Sequence, residues 1–514
     1  MTAAAADTVP DLLTRGRDED NAIGAPDRPW LSYRHLRDLT RRTTGVLNSH
    51  GIGLGDRVAI VLPNGPEAAT CFVAVACAAA AAPLNPAGKP EEFAFNLTDL
   101  NIRAVIVMDG VDSPAIGVAR SAGIPLLRLR PTGPLANCPA GDFTLHAASA
   151  AVETSAVTRP PAGDDVALVL HTSGTTSRPK VVPLTQRNIT ASAHAIARTL
   201  RLGPGDVGLN IMPLFHIHGL IAATLASLAA GGAVSCTPGF NAFRFFTLFA
   251  AVRPTWYSAV PPMHQAILGL APRQARTIAE GRLRFIRSSS ASLPVQVMRA
   301  MEEAFGVPVL EAYGMTEAAH QMASNPLPPA PRHAGSVGVA AGPEIAILAP
   351  DGTPLPAGET GEVAVRGPNV VKGYDKNPDA NAAAFVNGWF RTGDQGILDG
   401  DGYLRLTGRI KEIINRGGEK VSPLEVDGVL MDHPAVAQCL TFALPHPMLG
   451  EEVAAVVVLR EGLGCADTEL REYAAARLAA FKVPRRIVFV DEIPRGPTGK
   501  FVRVGLAEKL GLIA

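Results

Sequence analysis

Apolar runs along the chain are short, and mixed segments of helical length separate them. Residues 56–63 (DRVAIVLP) form a β-branched run after Gly55, which predicts a buried strand. Residues 67–82 follow as a predicted helix. Their uncharged stretch, 68–82, is 15 residues of mostly Ala, too short and too weakly apolar to span a bilayer, so it is expected to be a core helix. Residues 102–108 (IRAVIVM) and 166–171 (VALVLH) predict further strands, as do 207–212, 255–259, 283–287 and 307–313. This alternation from about residue 28 onward predicts an α/β fold with parallel sheets covered by helices. From about 335 to 408 the pattern turns into short strands with Gly turns, such as 361–366 (GEVAVR), which predicts a β-rich subdomain. A boundary is expected at 408–412 (GRIKE). Beyond it, helices at 423–432 and 468–478 and strands at 437–443, 452–459 and 486–489 predict a small α+β domain.

Composition narrows the function. The 514 residues carry 47 Lys plus Arg and 47 Asp plus Glu, so no basic face for nucleic acid is implied. Six cysteines show neither a CxxC pair nor a Cys/His zinc spacing, which predicts reduced thiols in a cytoplasmic protein. The start, MTAAAADTVPDLL, lacks a basic and an apolar region, so no signal peptide is expected, and the final GLIA is not a peroxisomal address.

Four segments carry chemistry. Residues 171–180 (HTSGTTSRPK) follow a predicted strand and set hydroxyls around one Gly ahead of Lys180. Backbone N–H groups, hydroxyls and an ammonium can together cradle phosphate. The segment lacks the GxxxxGK[ST] pattern of a Walker A loop, and by itself it also reads as a surface turn. Residues 311–317 (EAYGMTE) offer Tyr313 as a flat face for a base, Thr316 as a hydroxyl and Glu317 as an oxygen ligand suited to Mg2+, or simply a capped helix start. Residues 391–394 (RTGD) and 408–420 (GRIKEIINRGGEK) provide Asp394 for vicinal hydroxyls, Arg409 for the same sugar, and Gly417 and Gly418 for a sharp turn. Residues 494–500 (PRGPTGK) hold Lys500 on a Gly/Pro loop.

In this order and at these separations the four segments resemble the adenylate-forming superfamily of acyl-CoA synthetases, luciferases and peptide-synthetase adenylation domains, from about residue 28 to 505. The resemblance implies a large N-terminal AMP-binding domain over 1–408 and a small mobile C-terminal domain over 409–514, with the hinge at Lys411. It assigns Thr172, Ser173, Gly174, Thr175, Thr176 and Lys180 to the ATP phosphates. Tyr313 is assigned to the adenine, Thr316 to the α-phosphate, Glu317 to Mg2+, and Asp394 and Arg409 to the ribose. Ser289, Ala291, Glu311 and Ala312 also fall in its nucleotide site. Lys500 matches the lysine that bridges the substrate carboxylate and α-phosphate. Gly417 and Gly418, with Lys420, match the region that meets coenzyme A after the hinge turns. Ser177 and Val181 stand where many members carry Gly, and Lys411 stands where some carry Asp. The implied reaction is carboxylate plus ATP to acyl-AMP and pyrophosphate, then coenzyme A to acyl-CoA and AMP.

The acid is expected to be short. Residues 287–293 (RSSSASL) place Ser289 and Ser290 where members with long acids often carry Gly-Gly, and His320 follows Glu317 by three residues. Residues 213–219 (PLFHIHG) add His216 and His218. These segments are particularly similar to those of the oxalate–CoA ligases of plants and fungi, which makes oxalate the leading substrate and Ser289, His216 and His320 its contacts. The alternatives are a medium- or branched-chain fatty acyl-CoA synthetase and a stand-alone adenylation module that loads a carrier protein.

Overall fold

A computed structural model describes residues 7–147, 156–172, 179–494 and 501–513. Among these residues the strands form four sheets. The first has seven strands in the order Phe143–Ala147, Leu126–Pro131, Ala104–Met108, Arg57–Val61, Ala80–Pro83, Val166–His171 and Val181–Thr185. Its inner pairs are parallel and its two outer pairs antiparallel. The second, with nine strands, runs parallel from Asn21–Gly24 through Ala233–Cys236, Val207–Asn210, Trp256–Ala259 and Phe285–Ser288 to Val309–Met315. The strand pattern therefore begins ahead of residue 28, because Asn21–Gly24 reaches across the chain to pair with Ala233–Cys236.

One large apolar cluster joins the two sheets, with Ile60 and Leu170 from the first and Val234 and Leu310 from the second. The helix Pro66–Ala76 lies in this layer with every residue buried. That burial explains why its sequence is apolar on nearly every side, Glu67 in its first turn being ion-paired to Arg28. The helix predicted over 67–82 ends early, however, and Ala80–Pro83 is a central strand between Arg57–Val61 and Val166–His171. Alanine accepts either conformation. Pro83 disfavours helical geometry at Ala82, and flanking β-branched strands supply ladder partners.

The third sheet is the β-rich region, with strands Glu344–Leu348, Thr360–Arg366, Phe385–Val386, Trp389–Leu398 and Leu404–Arg409. The fourth is formed by Ile414–Arg416, Glu419–Val421, Val436–His446, Gly450–Leu459 and Arg486–Phe489. Its two faces carry separate apolar clusters, one around Val426, Val453 and Val457 and one around Phe442, Val456 and Leu506. All six cysteines are free thiols, and no helix among the described residues is long and apolar enough to cross a membrane.

Candidate active site

The phosphate-cradle segment leaves the first sheet where Val166–His171 pairs antiparallel with Val181–Thr185. Its base is fastened by two bonds: Thr172 N donates to the Lys180 carbonyl (2.9 Å), and Lys180 N donates to Thr172 Oγ1 (3.1 Å). Ser173, Gly174, Thr175 and Thr176 lie outside the described residues. The Lys180 ammonium stands 4.5 Å from the ring centroid of Tyr374. The Tyr374 hydroxyl in turn donates to Glu317 Oε1 at 2.9 Å. Tyr374 thus joins the lysine expected at the phosphates to the carboxylate expected at the metal. The sequence reading missed it, since only the neighbouring Gly373 marks its segment as a loop. Asp375 N holds that segment on Val181 (3.0 Å). Burial raises the Glu317 carboxyl above its ordinary range, while Tyr374 and Lys180 pull it back.

Glu317 belongs to a short 3-10 turn, Thr316–Ala318, that reverses the strand Val309–Met315 into His320–Ser324. Thr316 and Glu317 therefore sit at a strand reversal, and no long helix starts there. Ala319 and His320 adopt positive φ, 47° and 97°, to complete the reversal. Gly314 is required here, because a Cβ would lie 1.8 Å from the His320 carbonyl oxygen. Tyr313 is buried on the same strand and its hydroxyl donates to Asp394 Oδ2. The third sheet brings up the ribose pair by register: Asp394 stands opposite Arg409, whose Nε is 3.2 Å from Asp394 Oδ1.

Ser289 and Glu311 both fasten backbone beside this strand. Ser288 pairs with Glu311 across the sheet. Glu311 Oε1 accepts from Leu293 N (2.8 Å), and the Ser289 hydroxyl donates to the Ala312 carbonyl (2.9 Å). Both bonds pin the turn that carries Ala291, which is exposed, against the strand of Tyr313. The wholly buried Ser289 gives its hydrogen to the Ala312 carbonyl and so fastens the turn as well. Burial pushes the Glu311 carboxyl up to about 8.

The polar wall beside this turn is built from separate elements. His218 opens a π-helix, His218–Leu225, a form that is frequent at functional sites. Its Nδ1 lies 3.0 Å from Ser290 Oγ and its Nε2 2.6 Å from Ser258 Oγ. Its ring meets that of His320 at 4.9 Å. His218 and Ser290 therefore form the wall with His320, while His216 sits half-buried with its ring 4.6 Å from Phe215. Ser290 holds φ of 74°, a left-handed conformation disfavoured for serine.

Of the C-terminal residues, Gly417 and Gly418 form a hairpin tip with φ of 59° and 96°, next to Lys420, which is exposed. Lys411 is exposed in the turn Ile410–Glu412. Lys500 lies outside the described residues. Just beyond it, partly buried Arg503 pairs with Asp427 (2.7 Å) and with Glu412 (3.3 Å), and so fastens the chain after Lys500 to the expected hinge turn.

Comparison with known proteins gives the arrangement a context. Residues 14–375 match the family model described as AMP-binding enzyme, and residues 425–500 match the AMP-binding enzyme C-terminal domain. The chain is 45% identical to an oxalate–CoA ligase of Arabidopsis thaliana, covering 97% of each chain. It is 40% identical to an oxalate–CoA ligase of Saccharomyces cerevisiae, covering 99% of this chain and 98% of that one. Among solved structures, ATP-bound MatB from Rhodopseudomonas palustris superimposes with a TM-score of 0.86 at 30% identity, covering 98% of both chains.

Proposed function

The chain belongs to the AMP-binding enzyme family, and from that premise we propose that it joins oxalate to coenzyme A. It is an AMP-forming acid–CoA ligase that uses ATP and coenzyme A. The oxalate reading rests on one observation above all: His218, Ser258, Ser290 and His320 converge on one polar, largely buried wall. That wall suits the second carboxylate of a very short diacid. A medium- or branched-chain fatty acid would need an apolar tunnel at the same place. The near full-length match to free-standing ligases also favours coenzyme A over a carrier protein as the acceptor.

The reaction brings two anions together. A carboxylate oxygen attacks the α-phosphorus of ATP and pyrophosphate leaves, giving the acyl-AMP. Lys500 offsets the repulsion between the two anions in the approach. Tyr313 presents its ring to the adenine, and its hydroxyl steadies Asp394, which receives the ribose hydroxyls beside Arg409. Thr172 and Lys180 close the base of the phosphate cradle. Glu317 fits a Mg2+ ion, being a buried carboxylate with hard oxygen donors beside the phosphate segment, and the ion when bound supplies charge neutralisation at the phosphates. Burial around Tyr313 and Glu317 also shields the hydrolysis-prone mixed anhydride from water.

A boundary at 408/409 with a hinge at Lys411 completes the cycle. Turning there withdraws Lys500 and brings Gly417, Gly418 and Lys420 beside the acyl group, where the coenzyme A thiol displaces AMP. The separate apolar clusters of the fourth sheet support a domain that moves as one body. Free thiols support a reducing, cytoplasmic setting. The test is a panel of acids read by pyrophosphate release: oxalate should give the highest kcat/KM, and a preference for octanoate rejects the reading.

A further inference from the structure

Arg287 is wholly buried on the strand Phe285–Ser288, yet no described carboxylate forms an ion pair with it. The contrast with other sheltered arginines is sharp. Arg28 meets Glu67 at 2.7 Å, Arg57 meets Asp375 at 2.7 Å, Arg416 meets Glu452 at 2.5 Å, and Arg503 meets Asp427 at 2.7 Å. Arg287 instead donates to two neutral oxygens, Ser258 Oγ (3.3 Å) and Gln321 Oε1 (3.1 Å). Gln321 is held in that pose because its own amide donates to Thr199 Oγ1 (3.3 Å) and to the Ala341 carbonyl (2.9 Å). Arg287 Nε has no hydrogen-bond partner among the described residues. Burial lowers the guanidinium pKa to about 9, which leaves it charged at neutral pH. A buried charge without a counter-charge is costly, and such sites persist where a ligand brings the opposite sign.

The contacts lead from this cation to the acyl wall. Arg287 has donors only, so Ser258 Oγ accepts from it and turns its own hydrogen to His218 Nε2, 2.6 Å away. In a neutral His218 the other nitrogen, Nδ1, then carries the proton and donates to Ser290 Oγ at 3.0 Å. The Ser290 hydroxyl is left with its hydrogen to give. It sits half-buried on a residue held at left-handed φ, just past the strand. Each bond polarises the next in the same sense. The chain runs Arg287, Ser258, His218, Ser290, and its far end is the half-buried Ser290, in the turn beside His218, whose ring meets that of His320.

We propose that Arg287 is a positioning residue that makes this ligase select acids with a second negative charge, acting through Ser258, His218 and Ser290. This rests on the reading of the chain as a ligase for a short diacid. A dicarboxylate completes the charge balance the protein leaves open; an acid of the same size with a neutral tail does not.

The experiment measures kcat and KM for oxalate and for glycolate, a monoanion of similar size, in the wild type and in Arg287→Met, Arg287→Lys and Ser258→Ala. The KM for ATP and the melting temperature are recorded for each. In Arg287→Met the oxalate-to-glycolate ratio of kcat/KM should fall ~100-fold, mainly through the oxalate KM. Arg287→Lys should recover the ratio to within ~10-fold of wild type, and Ser258→Ala should lower it ~10-fold in the same direction. Equal losses for both acids, or an unchanged ratio, overturn the proposal. If Arg287→Met does not fold, a wild-type ratio in both Arg287→Lys and Ser258→Ala overturns it just as well. A wild type that prefers monocarboxylates to every diacid removes the diacid reading itself. A wild type that prefers oxalate while all variants keep its ratio removes only the role of Arg287.

Discussion

The side proposed for the nucleotide and the side proposed for the acid balance their charges differently. On the nucleotide side the protein supplies both signs: Asp394 meets Arg409 and Tyr313, and Glu317 meets Tyr374 with Lys180 over the same ring. That set can hold its shape before a ligand arrives. On the acyl side the polar groups converge just as closely, but among the described residues Arg287 meets neutral oxygens and no carboxylate. Charge balance there is left to the substrate. Residues that position a common co-substrate can thus be satisfied internally, whereas selectivity for one acid comes from a group left unsatisfied.

The largest test of this division is Lys500→Ala, which should lower acyl-AMP formation ~1000-fold while largely sparing thioester formation from supplied acyl-AMP. Equal loss in both half-reactions would remove Lys500 from the adenylation step. Next, Glu317→Gln should slow pyrophosphate release ~100-fold and weaken its dependence on Mg2+. Unchanged release, or undiminished wild-type release with EDTA, refutes that assignment. A crossed pair then separates the two sides. Asp394→Asn should raise the KM for ATP ~10-fold with little effect on oxalate, and His320→Ala should do the reverse. If either variant moves both KM values together, the two sides are not independent. Tyr374→Phe, which removes one neutral donor to Glu317, should cost only ~3-fold in kcat/KM for ATP.

The smallest effect is on stability. Burial lifts the Glu311 carboxyl to about 8, so the folded protein keeps a proton that the unfolded chain loses. The stability this gives is complete below the ordinary carboxylate pKa and is lost as pH rises toward about 8. Glu311→Gln should therefore melt increasingly above the wild type between pH 5 and pH 8, gaining about 2–4 °C over that range. A difference in melting temperature that is flat with pH would show that Glu311 does not titrate there.

The candidate nucleotide residues are legible in the sequence because their motifs are local. Strand ends place Thr172, Lys180 and EAYGMTE, and antiparallel register alone sets Asp394 against Arg409. Tyr374 was not legible, since nothing in KGYDK distinguishes its hydroxyl from that of any surface tyrosine until its segment folds onto Val181. Ser289 and Ser290 are neighbours of one type, and only the turn between strands sends one hydroxyl to Ala312 and the other to His218. The early end of the helix at Ala76 was half visible in Pro83, but alanine is compatible with both conformations, and the neighbouring strands decided between them.

The sequence by itself determined the alternation of strands and helices, the β-rich segment before residue 408, and the residue types that handle a nucleotide. These depend on patterns and motifs only a few residues long. Tertiary structure alone decided that His218, Ser258, Arg287, Ser290 and His320 share one wall, and that Arg287 is buried there with no carboxylate partner among the described residues. The physical reason is that a charge balance is a sum over everything packed around a group. In this chain that surrounding comes from a π-helix, two parallel strands, a turn and a strand reversal that are far apart in sequence.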